Sequence, residues 1–395
     1  MALQFAVGGA IIPFFTILLR DRGLELSQIS TILFWSSSTL LFFPFLWGML
    51  SDRFIPLNRM FTILNTSVVV FLLGFQSQAS FIGMMLTYLA FYACIHPTFT
   101  LINALNFHHL KHPQEQFGKV RAWGSMGWTI PSVFLFFYFF NKEHRDMEVT
   151  VLVGIALAIG MTLCTFFLPH TPPAGAGKNS SKSKGGHSFK YWSAAGKLLR
   201  NPDYLTILIS FFLISGSFTI LVFYSPPYLE DKGVNRIWIG PIQCLGVVLE
   251  IMFFPSLRHF IRRWGYFGTV LFGSLCLVVR QFLYVFSENV WLLSASYTLA
   301  GLVIVFYHIG GSILVNAIAP RELRATAQTL LVFFGSGLGP MFANWIVGIL
   351  TRNDPDNLHP VFLFSAILAT LAAMVILLRG KKLDAAAHHR ESNAT

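Results

Sequence analysis

Charge is what this chain lacks. Only 11% of its 395 residues are Asp, Glu, Lys or Arg, against roughly 25% in a soluble domain. Acid is scarcer than base, with 17 Asp and Glu beside 28 Lys and Arg. Cysteine is rare as well. Cys94, Cys164, Cys244 and Cys276 lie in apolar runs with neither CxxC nor metal-ligand spacing, so they read as apolar fillers and no metal site is expected. Paired catalytic carboxylates, an activated nucleophile at a span end and a phosphate-binding glycine loop are all missing, which argues against an enzyme and against ATP drive. No cofactor is expected beyond a proton as coupling ion.

What is there is apolar: 54% of the residues are hydrophobic and the mean hydropathy is +0.63. A membrane-spanning helix needs about 20 apolar residues. Twelve runs of that kind are predicted, near 3–19, 28–50, 58–77, 82–105, 119–140, 149–169, 203–225, 236–257, 266–286, 290–318, 323–350 and 360–379. No period-two barrel pattern appears, and no small-residue cleavage site follows the first run, so it is not read as a signal peptide. That run opens almost at Met1 with no basic residue ahead of it; either the first helix has a short lead or the chain starts further upstream. The fold class expected is an all-α membrane protein with twelve transmembrane helices.

The net charge of +11 could suggest nucleic acid, but its placement does not. With both termini on the cytosolic side, 20 of the 28 Lys and Arg fall in cytosolic segments, 7 in opposite loops, and Arg280 inside a span. This is the positive-inside asymmetry of a protein whose partner is the lipid bilayer. The longest polar stretch, residues 170–202, is rich in Gly, Ser, Lys and Pro, the composition of a flexible linker. It sets a six-helix half at 1–169 apart from a second at 203–379, with a tail at 380–395. Two six-helix halves joined by a basic loop is the plan of transporters whose site lies between repeats near the midplane.

Ionisable groups inside spans are costly and by default functional. Glu250, Arg280 and His308 fall roughly 11–12, 21 and 15 Å from the cytosolic side of their spans at about 1.5 Å per residue. A carboxyl out of water favours its neutral form, and a nearby cation favours the charged one. A group moved between those surroundings binds and releases a proton, so Glu250 is nominated as proton carrier with Arg280 or His308 as partner. The alternatives are a fixed Glu250–Arg280 ion pair and a hydrogen-bonded core histidine at His308. In FGKVRAWGSMGW, 117–128, the residues Arg121, Ser125 and Trp128 stand at i, i+4 and i+7 on one helix face, while Gly124 and Gly127 allow close approach of a neighbour. Asn103 lies at similar depth on the preceding span. On spacing alone, Arg121 is either a snorkelling boundary cation or part of a solute site.

The loop GMLSDRFIPLNR, 48–59, resembles the G-x-x-x-D-R/K signature of the major facilitator superfamily, and in that role Gly48, Asp52, Arg53 and Arg59 would gate the cytosolic face. FGKVRAWGSMGW resembles the helix-5 motif of a proton-symporter branch that takes in permeases for lactose, phenylpropionate and nucleosides. IIPFFTILLRDRG, FFPFLWGMLSDR, LINALNFHHL, FFLPHTP, LGVVLEIMFF, VVRQFLYVF, YHIGGSI and RELRATAQ are similar to other parts of the same pattern. The resemblance implies two six-helix halves, proton symport, a bacterial cytoplasmic membrane, a monomer, and a small-molecule solute held by Arg121, Ser125, Trp128 and Asn103. The departures matter. Asn103 stands where the sugar and phenylpropionate carriers have an acid, and Ala300 and Val303 stand where the lactose carrier has its relay. The solute expected is a nucleoside first, a sugar second and an aromatic carboxylate third. An efflux antiporter and a non-transporting sensor are the rival readings.

Overall fold

The computed structural model describes residues 1–110, 113–142, 145–172, 195–320 and 323–392. Every regular element among them is helical. In a bilayer this follows from the backbone: with no water to bond to, each N–H and C=O must find a partner within its own segment. The helices are α1 (Ala2–Asp21, broken by a 3₁₀ turn at Pro13), α2 (Leu26–Arg53), α3 (Leu57–Gln76), α4 (Phe81–His109), α5 (Pro113–Phe139), α6 (Glu148–Thr165), α7 (Pro202–Asp231), α8 (Ile239–Phe253), α9 (Leu257–Phe286), α10 (Val290–Ile318), α11 (Arg324–Leu350) and α12 (His359–Ser392). Ten stretches are long and apolar enough to cross a membrane, but one of them, Arg236–Phe286, has 51 residues and is broken inside. Counting it as two and adding α5 gives the twelve crossings the hydropathy pattern predicts. Phe167, Trp291, Leu378 and Phe286 are 77–88% exposed, the outward face of helices that meet lipid rather than water.

The break falls between the predicted runs 236–257 and 266–286 and is not a plain loop. Leu257–Trp264 is helical, with Arg258, Arg262 and Arg263 exposed and Leu257, Phe260 and Ile261 packed against Phe306. Apolar residues at i, i+3 and i+4 give this segment one buried face, so it folds as an amphipathic turn of helix rather than a loop. Gly265 then reverses the chain at φ 73°, which suits glycine alone. The restarted helix is capped from a distance: Asp384 Oδ1 accepts from Phe267 N at 2.9 Å.

The chain divides into two units, Met1–Ser180 with Val222–Cys244, and Ser181–Leu221 with Leu245–Thr395. Val222–Cys244, which the division at 170–202 places in the second half, therefore packs with the first unit. In that unit α1 lies against α5 and α6, and α3 against α4 and α6. Phe15 and Tyr88 stack at 3.6 Å in its core. Arg22 grips Glu148 with two bonds of 2.6 and 2.7 Å, Gln76 donates to the same carboxylate at 3.0 Å, and Arg22 also bonds Phe75 O. At the same end Arg236 takes Asp21 bidentately at 2.6 and 2.7 Å and also meets Glu230, while Arg20 meets Asp231 at 2.9 Å. In the second unit α9 packs chiefly on α12 and α10. Several of its buried polar groups pair across helices: Tyr204 to Ala327 O, Ser210 to Tyr307, and Ser217 to Ser365 and Gln281.

Candidate functional site

In the first unit, the side chains proposed to meet solute sit on α4 and α5, and α1 lies directly against α5. The approach is close because a glycine on each helix faces backbone of the other. A Cβ on Gly127 would strike the Ala2 carbonyl, and one on Gly9 would strike the Trp128 carbonyl. This register fixes what α1 presents. Arg121 donates to Ser125 Oγ at 3.2 Å, so two members of the i, i+4, i+7 face are joined. Trp128, the third, lies one turn further along beside Gly8, whose Cβ would stand 3.0 Å from its ring. Arg121 and Trp128 are half-buried and Ser125 is 6% exposed. The Arg121 guanidinium lies over the Phe5 ring at 4.6 Å.

Asn103 is half-buried, and its Oδ1 is enclosed without a hydrogen-bond donor. Its depth matches that of Arg121, but the structure gives no bond between the two. His96 lies against Tyr92 at 4.0 Å and Phe99 at 5.7 Å, continuing an aromatic row along α4. Spacing along one helix did not reveal Phe5 or Gln4. Gln4 is fully buried and bonds Thr98 at 2.6 Å. A glutamine inside the first apolar run was the one available signal, since a buried amide demands a partner.

The second unit holds the ionisable groups. Glu250 on α8 is 8% exposed, and its backbone N–H lies where α8 meets α10 through Gly246 and Gly301. Arg280 on α9 is fully buried. Its Nε donates to Ser296 O at 3.2 Å, its Nη2 meets Tyr284 OH at 3.4 Å, and the Tyr297 and Tyr284 rings lie at 4.1 and 4.9 Å. The guanidinium is thus held between two aromatic faces, and Nη1 makes no hydrogen bond. His308 sits at the end of a π-helical turn, Val303–Ile309, among Phe218 at 5.2 Å, Tyr307 at 5.6 Å and Phe211 at 5.9 Å. Its Nε2 is buried without a hydrogen-bond partner. A π-turn of this kind often marks a functional site. Glu250 and Arg280 both border α10, the helix that carries His308.

The gating residues are only partly in view. Gly48 has open space around it and Arg59 is exposed. The side chains of Asp52 and Arg53 lie outside the described residues. No group of three His, Cys, Asp or Glu side chains able to hold a metal occurs among the described residues.

A profile of the MFS_1 like family matches residues 2–364. The chain belongs to that family. This MFS_1 like protein is therefore a multi-pass membrane transporter of the major facilitator fold and not an enzyme. It is 24% identical over 361 residues to the putative nucleoside transporter YegT of Escherichia coli, covering 86% of this chain and 83% of that protein. It is 21% identical over 365 residues to the nucleoside permease NupG of Escherichia coli, covering 85% and 83%. It is 26% identical to the probable 3-phenylpropionic acid transporter of the same organism over 280 residues, 69% of each chain. The crystal structure of the nucleoside transporter NupG superposes with a TM-score of 0.80 over 96% of this chain and 97% of that one, at 20% identity.

Proposed function

We propose that the protein imports nucleosides by proton symport, with alternating access of its solute site. The observation that carries this reading is the Arg121–Ser125 hydrogen bond beside the Trp128 ring. A nucleoside offers ribose hydroxyls and base carbonyls to such donors and a flat ring to the indole. Asn103 adds an uncharged acceptor and donor where an acid would disfavour a base carbonyl. Relatives described as nucleoside carriers support the same class. Glu250 would load the proton, with Arg280 bordering the helix it packs on and His308 carried by that helix. Solute and proton must bind the two access states with different affinity, or no coupling follows. Both termini would face the cytosol of a bacterial inner membrane, the protein would act as a monomer, and Gly48, Asp52, Arg53 and Arg59 would gate the cytosolic side. A ring-bearing carboxylate is the second reading, favoured by the cationic Arg121 set against the Phe5 ring.

Counterflow tests the solute class. Vesicles loaded with unlabelled uridine should accumulate labelled uridine. External adenosine should block this, while xylose and 3-phenylpropionate should not. Exchange driven by xylose or 3-phenylpropionate and not by uridine would overturn the nucleoside reading.

A further inference from the structure

We infer that Phe5 on α1 is a specificity-determining residue of the solute site, holding the Arg121 guanidinium and completing the aromatic wall on which the solute ring lies. The inference rests on reading the α5 face as the solute site. Four observations meet at Phe5. Its ring covers one face of the Arg121 guanidinium at 4.6 Å. A planar cation offers a ring its faces and an acceptor its N–H edges. With one face against Phe5 and an edge bonded to Ser125, the plane of the Arg121 guanidinium is set by its neighbours. Phe5 also meets Phe99 at 4.8 Å, tilted by 43°. One turn further along α1, at i+3, a Cβ on Gly8 would stand 3.0 Å from both Phe99 and Trp128. Phe5, Phe99 and Trp128 therefore form one wall, contributed by α1, α4 and α5.

Phe5 differs from its neighbours in exposure. Gln4, Ala6 and Val7 are at most 1% exposed, whereas Phe5 is only half-buried and keeps part of its ring uncovered. Its position is also fixed independently of Arg121. The Gln4–Thr98 bond pins α1 to α4, and the close contacts at Gly9 and Gly127 pin α1 to α5. A ring held this way is preorganised, the property a specificity residue needs. If Phe5 only filled space, any apolar side chain of similar bulk would serve. If it acts through its π face, only another aromatic will.

The experiment uses the full chain in nanodiscs, with wild type, Phe5→Ala, Phe5→Leu and Phe5→Tyr. Uridine, xylose and 3-phenylpropionate are titrated calorimetrically into each. Uridine affinity should fall about 5- to 30-fold in Phe5→Ala, stay low in Phe5→Leu and return to near wild type in Phe5→Tyr. An unchanged Phe5→Ala, or full recovery with Leu, would overturn the inference. If wild type binds xylose or 3-phenylpropionate and not uridine, the nucleoside reading falls, and the same variant series with that solute judges Phe5. A solute-free measurement covers the remaining case. Phenylglyoxal modification of Arg121, followed by peptide mass spectrometry, should run several-fold faster in Phe5→Ala than in wild type or Phe5→Tyr. Equal rates in all three would overturn the role of Phe5 in holding the guanidinium.

Discussion

At the scale of single residues, Arg121 carries the solute reading, and its geometry is specific to a guanidinium. Lysine would keep the charge but lose the planar face that lies on Phe5 and the edge that reaches Ser125. Arg121→Lys is therefore expected to raise the KM for uridine tenfold or more while the protein still inserts and folds, as measured by vesicle uptake beside a thermal melt; an unchanged KM would place Arg121 outside the site. The face Arg121–Ser125–Trp128 was legible in the sequence, because helical spacing within one segment decides which side chains are neighbours. Phe5 was not, since it reaches Arg121 only through a helix contact across more than a hundred residues. The same limit applied at Arg280. Its burial followed from its place inside an apolar run, but the Tyr284–Tyr297 sandwich that accommodates it depends on how α9 meets α10. The charge is held there by ring faces and by a carbonyl.

At the scale of elements, hydropathy located the crossings well, because length and apolarity are properties of one segment. It did not locate the amphipathic helix before Gly265, where three arginines outweigh the buried face in any average. Contacts between elements depend on residues whose role is to be small. A Cβ on Gly301 would strike the Gly246 carbonyl and crowd the Glu250 N–H. Gly301→Ala should therefore push α10 from α8 and destabilise the protein by about 1–3 kcal/mol, read as a lower melting temperature, whereas Gly196→Ala, in open space, should not. The ion pairs joining α1 to the α7–α8 turn make a second prediction. Arg236 serves both Asp21 and Glu230, while Arg20 serves Asp231. These groups are partly exposed, so each pair contributes modestly, of the order of 0–1 kcal/mol. Arg236→Ala leaves two carboxylates facing one another and should lower the melting temperature more than Arg20→Ala does. The reverse order would mean that the Arg236 pairs are surface contacts without weight.

At the scale of the whole molecule, the scarcity of charge and its bias to one side gave the class of protein before any residue was assigned a task, and the twelve helices and the family match agree with it. Solute chemistry needed the meeting of α1, α4 and α5, and proton chemistry needed the surroundings of α10, neither of which is written in one stretch of chain. The central claim, proton symport through Glu250, is tested most directly by solute-induced proton uptake. Uridine would be added to energy-depleted vesicles holding wild type or Glu250→Gln, with external pH and labelled uptake recorded together. Symport predicts alkalinisation with wild type that is lost in Glu250→Gln. Uridine entry without a pH change in wild type, or an undiminished pH change in Glu250→Gln, would contradict it.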